Sequence, residues 1–397
     1  MKPSYRQMLE FSAKPLATVH VGIVGLGNRG MKAVDRYELV PGAIVTALAD
    51  HKESSTITAN RILVSSGRPD AHTYFGNRAH EQLMEDPAVD LVYLCTDWRS
   101  HCNLAIMAMR RGKHVAIEMP AAMTVAECQQ LIDVSLETQR HCIMLENCCY
   151  DTFASATRVM VSQGLLGDIT HCEGAYIHDL NKDVEKFGGE QKYWMARETL
   201  SQPGNAYPTH SIGPIALQMN LHRGDRMESL VSLTSQGQGL RGRVNSTLIR
   251  THLGCTILLQ HDIGTPRPYS RLQTTCGTEG FTQKYPVPTL QLKGMEQALS
   301  GDEALLRSQD FFEEGVSNWH QDGERKGSPN VMNHVMDCRL IYCLQNGLPL
   351  DMDVFDAAEW SAIIELSGLS ASRGGQPVEF PDFTQGHWQE IKCHKFY

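Results

Sequence analysis

The hydrophobic positions of the first third of the chain fall into short runs separated by amphipathic stretches. Residues 19–24, 44–50, 91–96, 114–118 and 142–147 are apolar runs too short for a packed helix, so each reads as a strand. Between them, residues 31–39, 60–66, 100–111 and 124–138 read as helices. The third carries apolar Leu104, Ile106, Met107 and Met109 and closes at Gly112. The fourth opens with Thr124 and Glu127, three apart, the spacing of a capping box. Strand and helix in strict alternation predict a doubly wound parallel sheet. Such a sheet binds its ligand beyond the carboxyl ends of the strands. Those ends carry Asp50, Thr96-Asp97-Trp98, Glu118 and Asn147.

The pattern then changes. After an amphipathic helix at 153–163, strand-like runs recur at 170–176, 230–235, 246–251, 255–261 and 272–276. Helical stretches follow at 332–345 and 355–370. The chain therefore reads as α/β in two domains: residues 1–148 with the parallel sheet, and 149–397 with a large, mostly antiparallel open sheet. An open sheet with apolar residues on its outer face predicts a homo-oligomer through that face.

The first strand runs directly into Gly25-Leu26-Gly27-Asn28-Arg29-Gly30. This spacing gives a tight turn, close access to the backbone and close helix–strand packing. The helix N-terminus then offers free N–H groups to a pyrophosphate. The second strand ends on Asp50, about 20 residues on, where a carboxylate bonds the adenosine ribose and repels a 2′-phosphate. NAD rather than NADP is the expected cofactor of this Rossmann-type half.

Composition excludes other classes. The net charge is -9 and no basic block occurs, which argues against a nucleic-acid surface. No apolar run reaches the ~20 residues of a membrane span. The first 18 residues carry Lys2, Arg6 and Lys14 without an apolar core, so they do not read as a signal peptide. The 12 cysteines sit mostly in apolar elements, the usage of a reducing compartment. The expected compartment is the cytoplasm, or the periplasm if a leader has been removed. No CxxC or HExxH occurs, and no metal is expected.

Five clusters carry candidate chemistry. In Asn205-Ala206-Tyr207-Pro208-Thr209-His210, the proline sets a turn into a helix. His210 then lies near a helix N-terminus, which favours a neutral imidazole, the form a base needs. Tyr207 is placed to carry a proton. The alternative is a capping or core histidine. Glu146-Asn147-Cys148-Cys149-Tyr150 leaves the last parallel strand toward the cofactor, or is a plain strand exit. Tyr176-Ile177-His178-Asp179 is a strand end that either binds sugar hydroxyls or has His178 simply paired with Asp179. Pro266-Arg267-Pro268-Tyr269-Ser270-Arg271 is a stiff cationic loop. Trp194 and Arg197 read as a sugar platform and clamp, or as surface residues.

The fingerprint, the Cys95-Thr96 strand exit and Glu118-Met119-Pro120 resemble the Gfo/Idh/MocA oxidoreductase superfamily. A narrower resemblance, from about residue 19 onward, is to glycoside hydrolase family 109. It rests on ENCCY (146–150), YIHDL (176–180), GNAYPTH (204–210), TPRPYSR (265–271), RLIYCLQNGLPLDMDVFDAAEWS (339–361) and PDFT (381–384). That family implies an NAD-dependent α-N-acetylgalactosaminidase, a recognised exception to the two-carboxylate mechanism. It implies transient oxidation at carbon 3 of the sugar, elimination, water addition and re-reduction. The superfamily's usual lysine is Met119 here, a side chain that cannot move a proton. The resemblance assigns proton transfer to Tyr207 and His210. It assigns the cofactor to Gly25, Gly27, Asn28, Arg29, Gly30, Asp50, Thr96, Trp98, His101, Glu118 and Asn147. It assigns the sugar to Glu118, Tyr150, His178, Arg197, Tyr207 and Tyr269. Two departures stand out: Asp97 follows Thr96 in place of a common proline, and 327–333 replaces a histidine-rich stretch, with Pro329 within it. The rival readings are a sugar oxidoreductase with net NAD turnover and a non-catalytic NAD- or sugar-binding protein.

Overall fold

A computed structural model gives the structure of the protein and describes residues 4–391. The chain forms two compact units. Of the described residues, one comprises 4–147 with Glu314–Glu359; the other comprises Cys148–Glu313 and 360–391. The sequence reading places all of 149–397 in one domain, whereas Glu314–Glu359 packs with the first unit.

The first unit holds a six-stranded sheet in the order β3-β2-β1-β4-β5-β6. Its strands are β1 (Val19–Val24), β2 (Ala43–Asp50), β3 (His72–Phe75), β4 (Leu91–Leu94), β5 (His114–Ile117) and β6 (Cys142–Met144). Every pairing is parallel. β4 and β5 are buried along their whole length, which is why they read as continuous apolar runs. β3 escapes the sequence reading because it is a short, largely exposed edge strand with no apolar run.

The return of Glu314–Glu359 to this unit has a visible electrostatic reason. Arg36, at the end of the fingerprint helix Asn28–Arg36, is buried. Its Nε donates to Asp337 Oδ2 at 2.5 Å and its Nη2 to the Tyr93 hydroxyl at 2.9 Å. Asp337 lies on the Val331–Asn346 helix and is fully buried. A guanidinium inside a Rossmann unit needs such a counter-charge. The altered 327–333 stretch is the start of the same helix: Asn330 caps it by accepting from the Asn333 N–H at 3.1 Å, and Pro329 is exposed.

His114 and His141 give this unit a pH dependence. Both rings are buried, 5.2 Å apart, and the His141 backbone N–H donates to His114 Nδ1 at 3.1 Å. Burial, with Arg140 nearby, pushes His114 down to about 4. Burial and His114 push His141 well below its usual value. Both rings are neutral when folded, and the unfolded chain takes up their protons below about 6.5. Stability is therefore expected to fall as pH drops from about 6.5 toward 4, by about 1.4 kcal/mol per pH unit for each ring. Urea unfolding across that window checks it; unchanged stability would contradict it.

The second unit is built on a nine-stranded sheet in the order β14-β13-β12-β11-β7-β10-β9-β8-β15. Its strands are β7 (Ile169–Ile177), β8 (Met227–Thr234), β9 (Asn245–Thr251), β10 (Thr256–Asp262), β11 (Ser270–Gly277), β12 (Phe281–Gln283), β13 (Thr289–Gln291), β14 (Leu299–Ser300) and β15 (Val378–Glu379). The β7–β10 pair is parallel and the other pairs are antiparallel. The four strands with three residues or fewer, β12 to β15, show no periodicity in the sequence. The helices Thr152–Ser162 and Thr209–Gln218 pack together, the second lying against β7. Ala156 and Met160 of the first join Leu166, Leu290, Leu292, Ala304 and Phe311 in an apolar cluster. Burying each large side chain there contributes about 1.5–3 kcal/mol. Gly174 on β7 permits the close approach of the second helix, since a Cβ there would lie 2.5 Å from the Ser211 carbonyl oxygen. Leu233, Leu248 and Leu253 are exposed. No described helix is long and apolar enough to cross a membrane.

Candidate active site

In the first unit, β1 ends at Gly25, whose φ of +88° suits only glycine, and its N–H donates to the Ala49 carbonyl at 2.9 Å. The helix begins at Asn28, so Asn28, Arg29 and Gly30 form the turn whose N–H groups lack helical partners. A Cβ on Gly30 would lie 1.9 Å from the Gly25 carbonyl oxygen, and one on Gly27 would meet nothing within 4 Å. One glycine is needed for packing; the other faces open space. Asp50 ends β2. Its Oδ2 accepts from the Leu26 N–H at 2.7 Å and its Oδ1 from Lys52 at 2.8 Å, so it fixes the glycine turn.

A cleft of about 680 Å³ runs along these strand ends, lined among others by Gly25, Asp50, Thr96, Asp97 and Ser100. Its lining suits a dinucleotide: the glycine cradle would take the pyrophosphate and the Asp50 carboxylate the ribose. Gly30→Ala is expected to destroy this fit, because the obstructing atom is backbone and cannot rotate away. Calorimetric titration with NAD is expected to show at least a tenfold loss, about 1.4 kcal/mol. Wild-type affinity would contradict the cradle.

Thr96 leaves β4 and accepts from the Ser100 hydroxyl at 2.8 Å. Asp97 caps the Trp98–Arg110 helix by accepting from the Ser100 N–H at 3.2 Å, a role the usual proline cannot fill. Trp98 is buried in its first turn. His101 is completely buried, with Nδ1 2.8 Å from the Pro120 carbonyl oxygen and Nε2 3.1 Å from that of Thr96. Burial pushes its proton affinity down despite those carbonyls. The structure thus places His101 as a brace between the two loops. Glu118 is partly buried at the end of β5, its N–H bonded to the Leu94 carbonyl. Asn147 is buried where the turn Asn147–Tyr150 begins.

In the second unit, Asn205 shapes the loop before the Thr209–Gln218 helix: its Oδ1 accepts from the Tyr207 N–H at 3.1 Å, and its own N–H donates to Ser367 at 2.9 Å. Pro208 then starts a helix with every residue buried. Tyr207 and His210 come together, hydroxyl to Nε2 at 3.5 Å and rings edge to face at 5.0 Å. Tyr176, at the end of β7, completes the cluster. Its ring centroid lies 4.9 Å from Tyr207 and 5.5 Å from His210, and its hydroxyl 3.2 Å from His178 Nδ1. His178 is half-buried; burial pushes it below its usual value, with Asp183 and Asp179 opposing and His210 adding. It meets Tyr269 edge to face at 5.3 Å. Burial pushes Tyr269 upward, so its phenol stays protonated.

Tyr207, His210, His178 and Tyr269 are therefore neighbours, as the sequence reading expects of one site. Tyr150 is buried at the end of its turn. Arg197 is not drawn into the cluster: it is exposed on the Trp194–Ser201 helix, and its guanidinium makes no hydrogen bond among the described residues. The sequence reading includes Tyr176 in its strand-end cluster 176–179 without giving it a role of its own; lying two residues before His178, it shares one face of the strand exit.

A glycine-cradled dinucleotide cleft, joined in one chain to an open sheet bearing a tyrosine–histidine cluster, defines the NAD-binding oxidoreductase fold. Solved structures share it: a levoglucosan dehydrogenase with NADH and levoglucosan (TM-score 0.69, 16% identity, covering 92% of this chain and 100% of that one) and an inositol dehydrogenase homologue with NAD+ from Azotobacter vinelandii (TM-score 0.69, 17%, 93% and 99%). Residues 19–146 match the oxidoreductase family with NAD-binding Rossmann fold, and 154–242 and 240–390 match the C-terminal domain of glycosyl hydrolase 109. A glycosyl hydrolase family 109 protein of Phocaeicola vulgatus is 48% identical over 407 residues, 96% of this chain and 98% of its own. The α-N-acetylgalactosaminidase of Bacteroides fragilis is 45% identical over 416 residues, 99% and 97%. The chain belongs to glycosyl hydrolase family 109, whose members join glycoside hydrolysis to an NAD-binding Rossmann domain.

Proposed function

We propose that this protein cleaves α-linked N-acetylgalactosamine with NAD that is regenerated in every cycle. The supporting observation is the Tyr207–His210 pair beside Tyr176 and His178, in a chain that also carries the NAD cradle. Bound NAD supplies a reversible hydride acceptor for carbon 3 of the sugar. With carbon 3 held as a ketone, the hydrogen on carbon 2 is acidic, and the Tyr207–His210 pair removes it. Its electrons form the carbon 1–carbon 2 double bond as the bond to the aglycone oxygen breaks. Water adds at carbon 1, its proton passing to the aglycone, and the pair returns the proton to carbon 2; carbon 3 then takes back its hydride, and its oxygen the proton lost on oxidation. His178, Tyr150 and Tyr269 orient the sugar, and Glu118 lies where a parallel-sheet strand end meets the cofactor.

The test is nitrophenol release from aryl α- and β-glycosides by purified protein without added NAD. Release without NADH accumulation supports the reading; NADH accumulating with sugar in place of release supports a net oxidoreductase. Two further parts of the proposal are coarser. The exposed leucines of β8 and β9 support self-association through that face, which light scattering reads. The burial of most cysteines within apolar elements, as small hydrophobes, supports a reducing compartment.

A further inference from the structure

Asp151 directly follows Tyr150 and caps the Thr152–Ser162 helix, accepting from the Phe153 and Ala154 N–H groups at 3.1 and 3.2 Å. Two cations also reach it. Arg271 Nη2 donates to Oδ2 at 2.8 Å, and the Lys284 ammonium bonds the same oxygen. Arg271 lies two residues after Tyr269, at the entry to β11. Lys284 adjoins Tyr285, and both cations stand over the Tyr285 ring, 5.8 and 5.6 Å from its centroid. Tyr285 in turn meets Tyr269 edge to face at 6.0 Å. One buried carboxylate thus ties together the segments carrying Tyr150, Tyr269 and Tyr285.

Three features here work against stability. The cluster sets one buried and one partly exposed cation against a single buried anion. Arg271 is 2% exposed, yet its Nε and Nη1 have no hydrogen-bond partner. Leu272 and Gln273, the next two residues, hold φ at +56° and +55°, and the β11–β7 register shifts on both sides of Leu272. Such strain persists where its surroundings impose it, and it collects at functional sites. An apolar residue at 271 would remove the buried-charge cost; it would also release the strand entry that holds Tyr269.

We propose that Asp151 and Arg271 form a positioning pair that fixes Tyr269 against the sugar. The proposal rests on the glycosidase reading above. The guanidinium bonds Asp151, and on this proposal it acts through the tyrosine two residues away.

The test is a double-mutant cycle of Arg271→Lys and Tyr269→Ala in the full chain with bound NAD. KM and kcat for para-nitrophenyl α-N-acetylgalactosaminide are measured alongside bound NAD and melting temperature. Lysine keeps the charge and loses the fork. Arg271→Lys is expected to raise KM about tenfold with kcat within about threefold, and to raise it about twofold or less when Tyr269 is already alanine. Asp151→Asn is expected to shift KM the same way. Equal KM penalties in both backgrounds, or a lower melting temperature with KM unchanged, overturn the pair. No turnover by the wild type sinks the glycosidase reading instead. The cycle is then read as calorimetric affinity for N-acetylgalactosamine, where additive penalties again overturn the pair.

Discussion

His210→Ala is expected to lower turnover between about a hundredfold and ten thousandfold, the range a positioned general acid or base contributes. It is expected to leave NAD bound. The reason is the separation of tasks within the chain. The residues that fit the dinucleotide, Gly25–Gly30, Asp50 and Thr96, belong to the first unit, and the Thr209–Gln218 helix belongs to the second. His210 lies in the first turn of that helix, with Nε2 3.5 Å from the Tyr207 hydroxyl. Removing the ring takes away a proton carrier, while the Pro208 turn and the Asn205 bonds still place Tyr207. Tyr207→Phe tests the partner: it keeps the ring contacts with Tyr176 and His210 and loses only the hydroxyl. Single-turnover nitrophenol release and the NAD content of the purified variants are the measurements. A variant at 210 with wild-type turnover would remove the pair from the mechanism; one that lost NAD would mean the two tasks are coupled.

The largest expected loss of stability comes from Asp337→Asn, about 3–5 kcal/mol, because it strands a buried guanidinium without its counter-charge. Burial pushes the Asp337 carboxyl upward and Arg36 pulls against it. The guanidinium cannot give up its proton, so the pair stays charged and depends on geometry. Arg36 Nε meets Asp337 at 2.5 Å and Nη2 meets Tyr93 at 2.9 Å. Replacing both ends, Arg36→Met with Asp337→Leu, is expected to recover most of the loss, since neither charge is then desolvated. Urea unfolding of the two singles and the double reads the cycle. Additive losses in the double would mean that packing, not the charge pair, carries the interaction.

The sequence was most legible where burial is uniform. β1, β2, β4 and β5 lie inside a parallel sheet and β6, at one edge, is still buried, so all show as apolar runs, while β3 at the other edge faces solvent and has no run to read. Tyr207 and His210 were legible because a proline before a helix is a local signal. The Asp151–Arg271 contact was not, because its partners are 120 residues apart and β11 reaches its place through register shifts that alternation alone cannot forecast. The return of Glu314–Glu359 to the first unit was hidden for a related reason: Asp337 on an apolar helix looks like any polar residue until Arg36 is found beneath it.

That long-range pair also governs the order of events during synthesis. Arg36 leaves the ribosome 301 residues before Asp337. Domains usually fold as they emerge, N-terminal first. This one holds a cation inside its wall that stays uncompensated until nearly the whole chain exists. The nucleotide-binding half is therefore no detachable module: residues 1–148 expressed alone lack the helix that neutralises their interior, and that helix is made only after β7 to β14 of the second sheet.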